Sequence, residues 1–437
     1  MNKKNKRKKA KRADYKDRPI PKLEKDPPAL DSFKEVWAKL MTTPIHLDSA
    51  LSKLNPKKKT ILAQVLPRIL AQPLSLCEYF GIGVTEGEPW SLSREELKSW
   101  RPAILLAERM MASMDKGIPQ PKGSEYDFPP EMVAEWKADW GDARVKELCA
   151  SLVISPPIGL RVSTKTSREK VLADLKKGSD LPVKTTLSTA TPFGIRLETY
   201  APIMKTAPFV DGVIEIQDEG SQWMAVFAMD PERYGEFLSD MPKEPAITTS
   251  FPKMPKPASM TIVDACSGAG GKALALADIL DGKGRVYGYD VFESKVAALK
   301  KRAKRSKLNN IQAVWVKEGD EEASLSQHMG SADLVLVDAP CSGWGVLKRN
   351  PDIKWRTHSA DLKRMPELQL RLLSLYSKLV KPGGKLVYGL CTFRKIETQQ
   401  VVDAFLKKNP EWKPTRGGYY GPGRTDGFYM HGFVRKT

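Results

Sequence analysis

The chain reads as an α/β protein whose C-terminal half forms a doubly wound, largely parallel sheet. From Thr261 onward, short β-branched runs (TIVDA, RVYGYDV, IQAVWV, ADLVLVDA and KLVYGL) alternate with stretches of helical period, GGKALALADIL, ESKVAALKKRAKRSK, LQLRLLSLYSKLV and IETQQVVDAFLKK. Such alternation places a crossover helix between successive parallel strands. The apolar runs also stop abruptly at acids, glycines and cysteines, as buried strands do where their carboxyl ends open into loops. The closing DGFYMHGFVRK reads as a hairpin at the antiparallel edge.

The preceding elements are less regular. Residues 1–28, MNKKNKRKKAKRADYKDRPIPKLEKDPP, have few apolar side chains and roughly half of the net charge, which predicts a disordered basic tail that binds phosphates. A localisation signal or a solvated tail has the same composition. Over 29–148, ILAQVLPRILAQPLSLCEYF and RPAILLAERMMASM repeat at helical spacing with prolines set as helix ends, predicting a domain of four or more helices with no catalytic signal. Residues 149–205 read as a small βαβ unit: a strand at Leu160 to Val162, a capped helix from Thr166 or Ser167, then TPFGIRLE. With Arg161 and Lys165 exposed, it would serve as an RNA platform or pack as a linker. Residues 206–437 form the last domain, interrupted between Asp230 and Met260 by a proline-rich loop.

A net charge of +19 on 437 residues favours polyanionic partners, with nucleic acid foremost. The five cysteines, Cys77, Cys149, Cys266, Cys341 and Cys391, show no metal-ligand spacing and suit free thiols in a reducing cytoplasm. Cys77 and Cys149 read as core. No metal site is expected. The basic N-terminus is followed by no apolar signal-type run, and no run of about 18 apolar residues occurs, so neither export nor a membrane partner is expected.

Chemistry concentrates at strand ends. In SADLVLVDAPCSGWG the apolar run stops at Asp338, followed by Pro340 and Cys341. In open α/β sheets this is the ligand-binding end, although an inert buried thiol is the plain alternative. The first strand ends at Asp264 and enters ACSGAGGK, where Gly268, Gly270 and Gly271 allow a ligand close to the backbone and a helix N-terminus follows. Neither G-x-G-x-x-G nor G-x-x-x-x-G-K-[ST] is present. Asp290, ending the second strand, suits the ribose hydroxyls of an adenosine, in an NAD enzyme as well as in others.

Taken together, DACSGAGGK, Asp290, DAPCSG, PDIKW (351–355), LVYGLCT and TDGF (425–428) resemble the RsmB/Sun family of RNA cytosine-5 methyltransferases, from about Pro156 to the end. PPIGLRVST and QDEGSQ are similar to its preceding subdomain and lead-in helix, and the N-terminal helices are similar to its NusB-like RNA-binding domain. The resemblance implies a Rossmann-like S-adenosylmethionine-dependent methyltransferase core, preceded by an RNA-binding subdomain and a helical domain. It implies RNA as partner, small-subunit rRNA foremost, with tRNA as the other substrate. Cys391 would be the nucleophile on cytosine C6, Cys341 would assist release, Asp338 would lie near N3 and the exocyclic amine, and Lys272 would face the base. The cofactor would lie against Cys266, Ser267, Gly268, Ala269, Gly270, Gly271 and Lys272, with Asp290 on the ribose, Asp320 at the adenine and Asp338 near the methionine end.

Two positions depart from the family pattern: Ala269 stands where proline is common, and Leu390 where a threonine precedes the nucleophile. Phosphates are expected on Lys295 to Lys307, Arg349 and Lys354, and a flipped base on Trp344 or Trp355, each tryptophan being equally a core residue. The competing readings are a DNA cytosine-5 methyltransferase, which Cys391 opposes, and a noncatalytic rRNA-binding assembly factor. A monomer is expected.

Overall fold

The apolar runs from Thr261 onward form five parallel strands: β5 (Thr261–Ala265), β6 (Arg285–Asp290), β7 (Ile311–Trp315), β8 (Ala332–Asp338) and β9 (Val380–Leu390). With β10 (Trp412–Tyr420) and β11 (Phe428–Arg435) they make one sheet in the order β10-β11-β9-β8-β5-β6-β7. The structure is a computed structural model that describes residues 29–437 apart from 44, 85–88, 113, 115–120, 122, 178–183, 199–200, 247, 249–250, 252–258, 318, 320 and 357–358. The basic tail 1–28 and Asp320 therefore lie outside the described residues.

Order and direction locate the ligand end. After β5 the chain steps outward to β6 and β7, then returns to place β8 on the other side of β5, with β9 beyond it. The switch point lies between β5 and β8, and a crevice opens there at the carboxyl ends. Register sets Ala265 beside Val337 and Asp338 beside Gly389, so the β5, β8 and β9 loops emerge together. The expected terminal hairpin is corrected: DGFYMHGFVRK lies in the single strand β11, inserted antiparallel between β9 and β10. Its partner β10, WKPTRGGYY, lacks alternation because it is a bulged edge strand.

A second sheet, in the order β2-β3-β1-β4, contains β1 (Ile158–Val162), β2 (Thr185–Leu187), β3 (Gly194–Leu197) and β4 (Ile214–Ile216). All of its pairings are antiparallel, so β1 and β2 run parallel on either side of β3 and the βαβ unit is split. Arg161 is a correction: it is buried, and its guanidinium donates to Asp278 and to Gln217, each at 2.9 Å. Ser163 and Thr164 add hydrogen bonds to the same Asp278. A buried arginine in this position joins the small sheet to the helix that follows β5 and leaves no free charge for RNA.

The described residues divide into two compact units, one within 156–345 and 360–437 and, separately, one within 29–155 and 346–359. The boundary expected at 148/149 falls inside the helix Asp142–Leu152. The N-terminal unit is helical, and its core gathers Phe33, Trp37, Leu66, Trp100 and Leu106. Pro56, Pro73 and Pro130 occupy first-turn positions, where a missing N–H costs nothing, whereas Pro67 lies inside a helix. Among the described residues no single helix is long and apolar enough to cross a membrane; one bent pair, Pro56–Ala71 with Pro73–Phe80, passes by length and composition. Both helices contribute to this unit's core.

Candidate active site

The glycine-rich turn after β5 is shaped by backbone that most side chains resist. Cys266, Gly268 and Gly270 all have positive φ, and a Cβ added at Gly270 would strike Leu299 at 2.2 Å. The Ser267 amide donates to the Tyr289 carbonyl and the Gly268 amide to Asp290 Oδ2, each at 2.8 Å, which fastens the turn to the end of β6. Asp290 Oδ1 accepts from the Phe292 amide at 2.9 Å. This turn leads into the helix Gly271–Ile279, whose N-cap Gly270 has no side-chain cap.

These features fit an adenosine cofactor. The face of Gly268 is open, the buried Ser267 hydroxyl has no hydrogen-bond partner among the described residues, and a helix N-terminus without a side-chain cap follows. Burial pushes the Cys266 thiol up, so it stays protonated.

Beside the turn, Lys272 Nζ donates to Asp338 Oδ2 at 2.6 Å. Burial pulls the ammonium down, but the charge and hydrogen bond of Asp338 outweigh it and hold Lys272 above its ordinary range. The Cys391 sulfur acts on the same ammonium, placing it near the pair. Asp264 is wholly buried, and burial, reinforced by Asp338, raises it to about 8 although the Ala273 amide opposes the rise.

The two thiols meet. Cys341 Sγ, beyond β8, lies 3.3 Å from Cys391 Sγ, just beyond β9. Contact with Cys391, followed by burial, raises the Cys341 thiol well above its ordinary range, so Cys341 keeps a proton that it can share with its neighbour. Their loops are locked together: the Gly345 amide donates to the Cys391 carbonyl at 3.0 Å, the Gly427 amide to the Gly345 carbonyl at 2.8 Å, and Ser342 and Thr392 share a hydroxyl bond of 2.8 Å.

Glu397, which sequence reasoning missed, is the hub of this lock. Fully buried, it accepts from the Ser342 amide at 2.9 Å, Gln369 at 2.8 Å and Arg394 at 3.0 Å. One carboxylate thus ties the Cys341 loop to the segment after Cys391. A single acid in RKIETQQ carries no sequence signal for this role.

The departures from the family pattern have simple settings. Leu390 is fully buried in β9, and the buried Thr392 hydroxyl, two residues on, pairs with that of Ser342. The Ala269 carbonyl accepts from Arg302 at 2.8 Å.

Two expectations are corrected. Trp344 is buried under the Arg394 guanidinium, 4.6 Å from its ring, which leaves no face for a base. In the N-terminal unit, Lys354 is buried and donates to the Ala71 and Asp127 carbonyls, each at 2.6 Å, while the Trp355 indole donates to the Leu70 carbonyl at 2.8 Å and packs on Trp37 and Trp90. PDIKW is therefore a packing plug, with no phosphate or base contact at Lys354 or Trp355.

A switch-point crevice with a glycine-rich turn, an acid ending the second strand and thiols just beyond β8 and β9 defines a Rossmann-like fold with a nucleotide-type ligand site. Residues 254–424 match the family model described as 16S rRNA methyltransferase RsmB/F. The chain is 31% identical over 294 residues to a probable ribosomal RNA small subunit methyltransferase B of Synechocystis sp., a match covering 67% of this chain and 59% of that protein. Its match to the Bacillus subtilis protein of the same name is 30% identical and covers 67% and 58%. The chain thus spans somewhat under two thirds of these relatives' length. Among solved structures, PH0851 superimposes with a TM-score of 0.68 at 21% identity, covering 94% of this chain and 100% of that one. NSun6 from Pyrococcus horikoshii, solved with SFG, gives 0.55 at 18%, covering 71% and 99%. These two likenesses concern the fold. Over residues 254–424 the chain is thus similar to the RsmB/Sun family, the family its motifs led one to expect.

Proposed function

We propose that this protein methylates C5 of a cytosine in RNA, with small-subunit rRNA as substrate, and that it acts as a monomer in the reducing cytoplasm. The observation that carries this reading is the Cys341–Cys391 pair at 3.3 Å beside the Lys272–Asp338 pair. Cytosine C5 is a weak nucleophile until a thiolate adds to C6, and a second group is then needed to let the thiol leave.

In this reading the Cys391 thiolate attacks C6. Asp338, oriented by Lys272, faces N3 and the exocyclic amine and steadies the charge that builds there. S-adenosylmethionine would be held by residues 266–272 and Asp290, and would supply the methyl group. Loss of the C5 proton then permits elimination, which reforms the C5–C6 double bond and frees Cys391, with Cys341 assisting that departure. The names of the relatives support rRNA as substrate. The tail 1–28, the helical domain and the small sheet add RNA contacts.

The test is transfer of labelled methyl groups to unmodified small-subunit rRNA, with tRNA and the corresponding DNA as controls. Wild type is expected to label rRNA, and Cys391→Ala to lose at least about 10³-fold. Tight rRNA binding without S-adenosylmethionine binding, and with no transfer to any substrate, would instead mark an assembly factor.

A further inference from the structure

A groove of about 830 Å³ lies between the small sheet and the end of the helix Glu293–Arg305. Its lining includes Lys165, Lys170, Lys205 and Lys307, together with Thr166 and Thr206. All four lysines are exposed, and none has an ion-pair partner among the described residues. Two acids, Asp174 and Asp211, share the wall and leave the groove net positive.

The groove is far from the thiols. The helix Glu293–Arg305 starts just beyond Asp290, at the cofactor end of β6, and runs 13 residues to the groove. At 1.5 Å per residue, that is about 20 Å. Exposed Lys295, Lys300, Lys301 and Lys304 mark the way, with Lys300 and Lys304 sharing a helix face. The floor is fixed: buried Glu215 accepts from Arg302 at 3.0 Å, from Ser306 at 3.0 Å and from Arg305, and a Cβ at Gly212 would strike the Arg305 carbonyl at 2.2 Å.

We propose that this groove is an RNA exosite that holds the phosphate backbone at a distance from the target cytosine. This rests on the RNA methyltransferase reading above. Flexible lysines arranged around an open groove, with no arginine fork among its lining residues, suit a sequence-independent polyanion better than one small phosphate. The lysine track along the helix gives an extended strand a route from the groove to the catalytic end.

The experiment measures binding of in vitro transcribed, unmodified small-subunit rRNA to the full chain across a salt series. Lys165→Gln/Lys205→Gln/Lys307→Gln is compared with Lys407→Gln/Lys408→Gln/Lys413→Gln, which removes the same charge from exposed positions elsewhere. The groove variant should lower the slope of log K against log salt by about 2 and weaken binding at least about tenfold relative to the control. S-adenosylmethionine affinity, measured in parallel, should be equal in both variants and so exclude misfolding. Equal slopes in the two variants, with wild type methylating RNA, would refute the exosite alone. Wild type that neither binds nor methylates RNA would remove the underlying reading and the exosite with it. Pyrophosphate binding that is lost in the groove variant while rRNA binding is kept would replace the exosite with a small-anion site.

Discussion

Lys272 and Lys354 are both enclosed lysines in motif stretches, and the structure gives them opposite chemistry. Lys272 meets a carboxylate, Asp338, and is held above its ordinary range. Lys354 meets the Ala71 and Asp127 carbonyls, and burial pulls it down to about 7. A motif lysine is therefore a charge for chemistry only where a full counter-charge repays its desolvation; otherwise it is a hydrogen-bonding plug.

The most damaging way to break this comparison is at Lys272. Lys272→Met should lower kcat for methyl transfer by about 10²–10³-fold, and Lys272→Arg should restore little, because a planar fork does not replace a compact ammonium against Asp338. Next is Glu397→Gln, which removes the charge that pairs with Arg394 and loosens the lock between the thiol loops. Methyl transfer should fall about 10–100-fold, read as slower formation of the RNA adduct with unchanged S-adenosylmethionine affinity.

Lys354→Met should cost about 1–3 kcal/mol in thermal unfolding, because two buried carbonyls lose their donor. The sign of its pH dependence sharpens the contrast. The unfolded lysine binds its proton up to its ordinary range, whereas the folded one releases it near 7. Wild type should therefore gain stability over Lys354→Met as pH rises from 7 to 10. Lys272, raised on folding, contributes stability that is complete below its ordinary value and is lost only above it. A pH effect of the opposite sign is expected at Asp264. Its carboxyl is raised to about 8, so its burial costs little below pH 4 and progressively more up to pH 8. Wild type should lose stability relative to Asp264→Asn over that window, by up to a few kcal/mol.

The meeting of the two thiols was legible in the sequence because parallel strands end in loops at one edge and β8 neighbours β9, which brings DAPC and LCT together. The glycine-rich turn was legible because only its backbone angles permit it. Glu397 was not, since its partners Ser342 and Gln369 lie 55 and 28 positions away and meet only in the folded core. Arg161, Lys354 and Trp344 misled for the opposite reason: charged and aromatic side chains suggest a surface, and nothing local announces the buried acid, carbonyls or guanidinium that receives them. Strand β10 was missed because an edge strand needs no alternation.

The two-thiol assignment is tested most directly by incubating unmodified small-subunit rRNA and S-adenosylmethionine with wild type, Cys341→Ala and Cys391→Ala, and resolving protein–RNA adducts on a denaturing gel. The account predicts a stable adduct with Cys341→Ala, attached through Cys391, and none with Cys391→Ala. An adduct formed by Cys391→Ala through Cys341 would contradict it and reverse the roles of the two thiols.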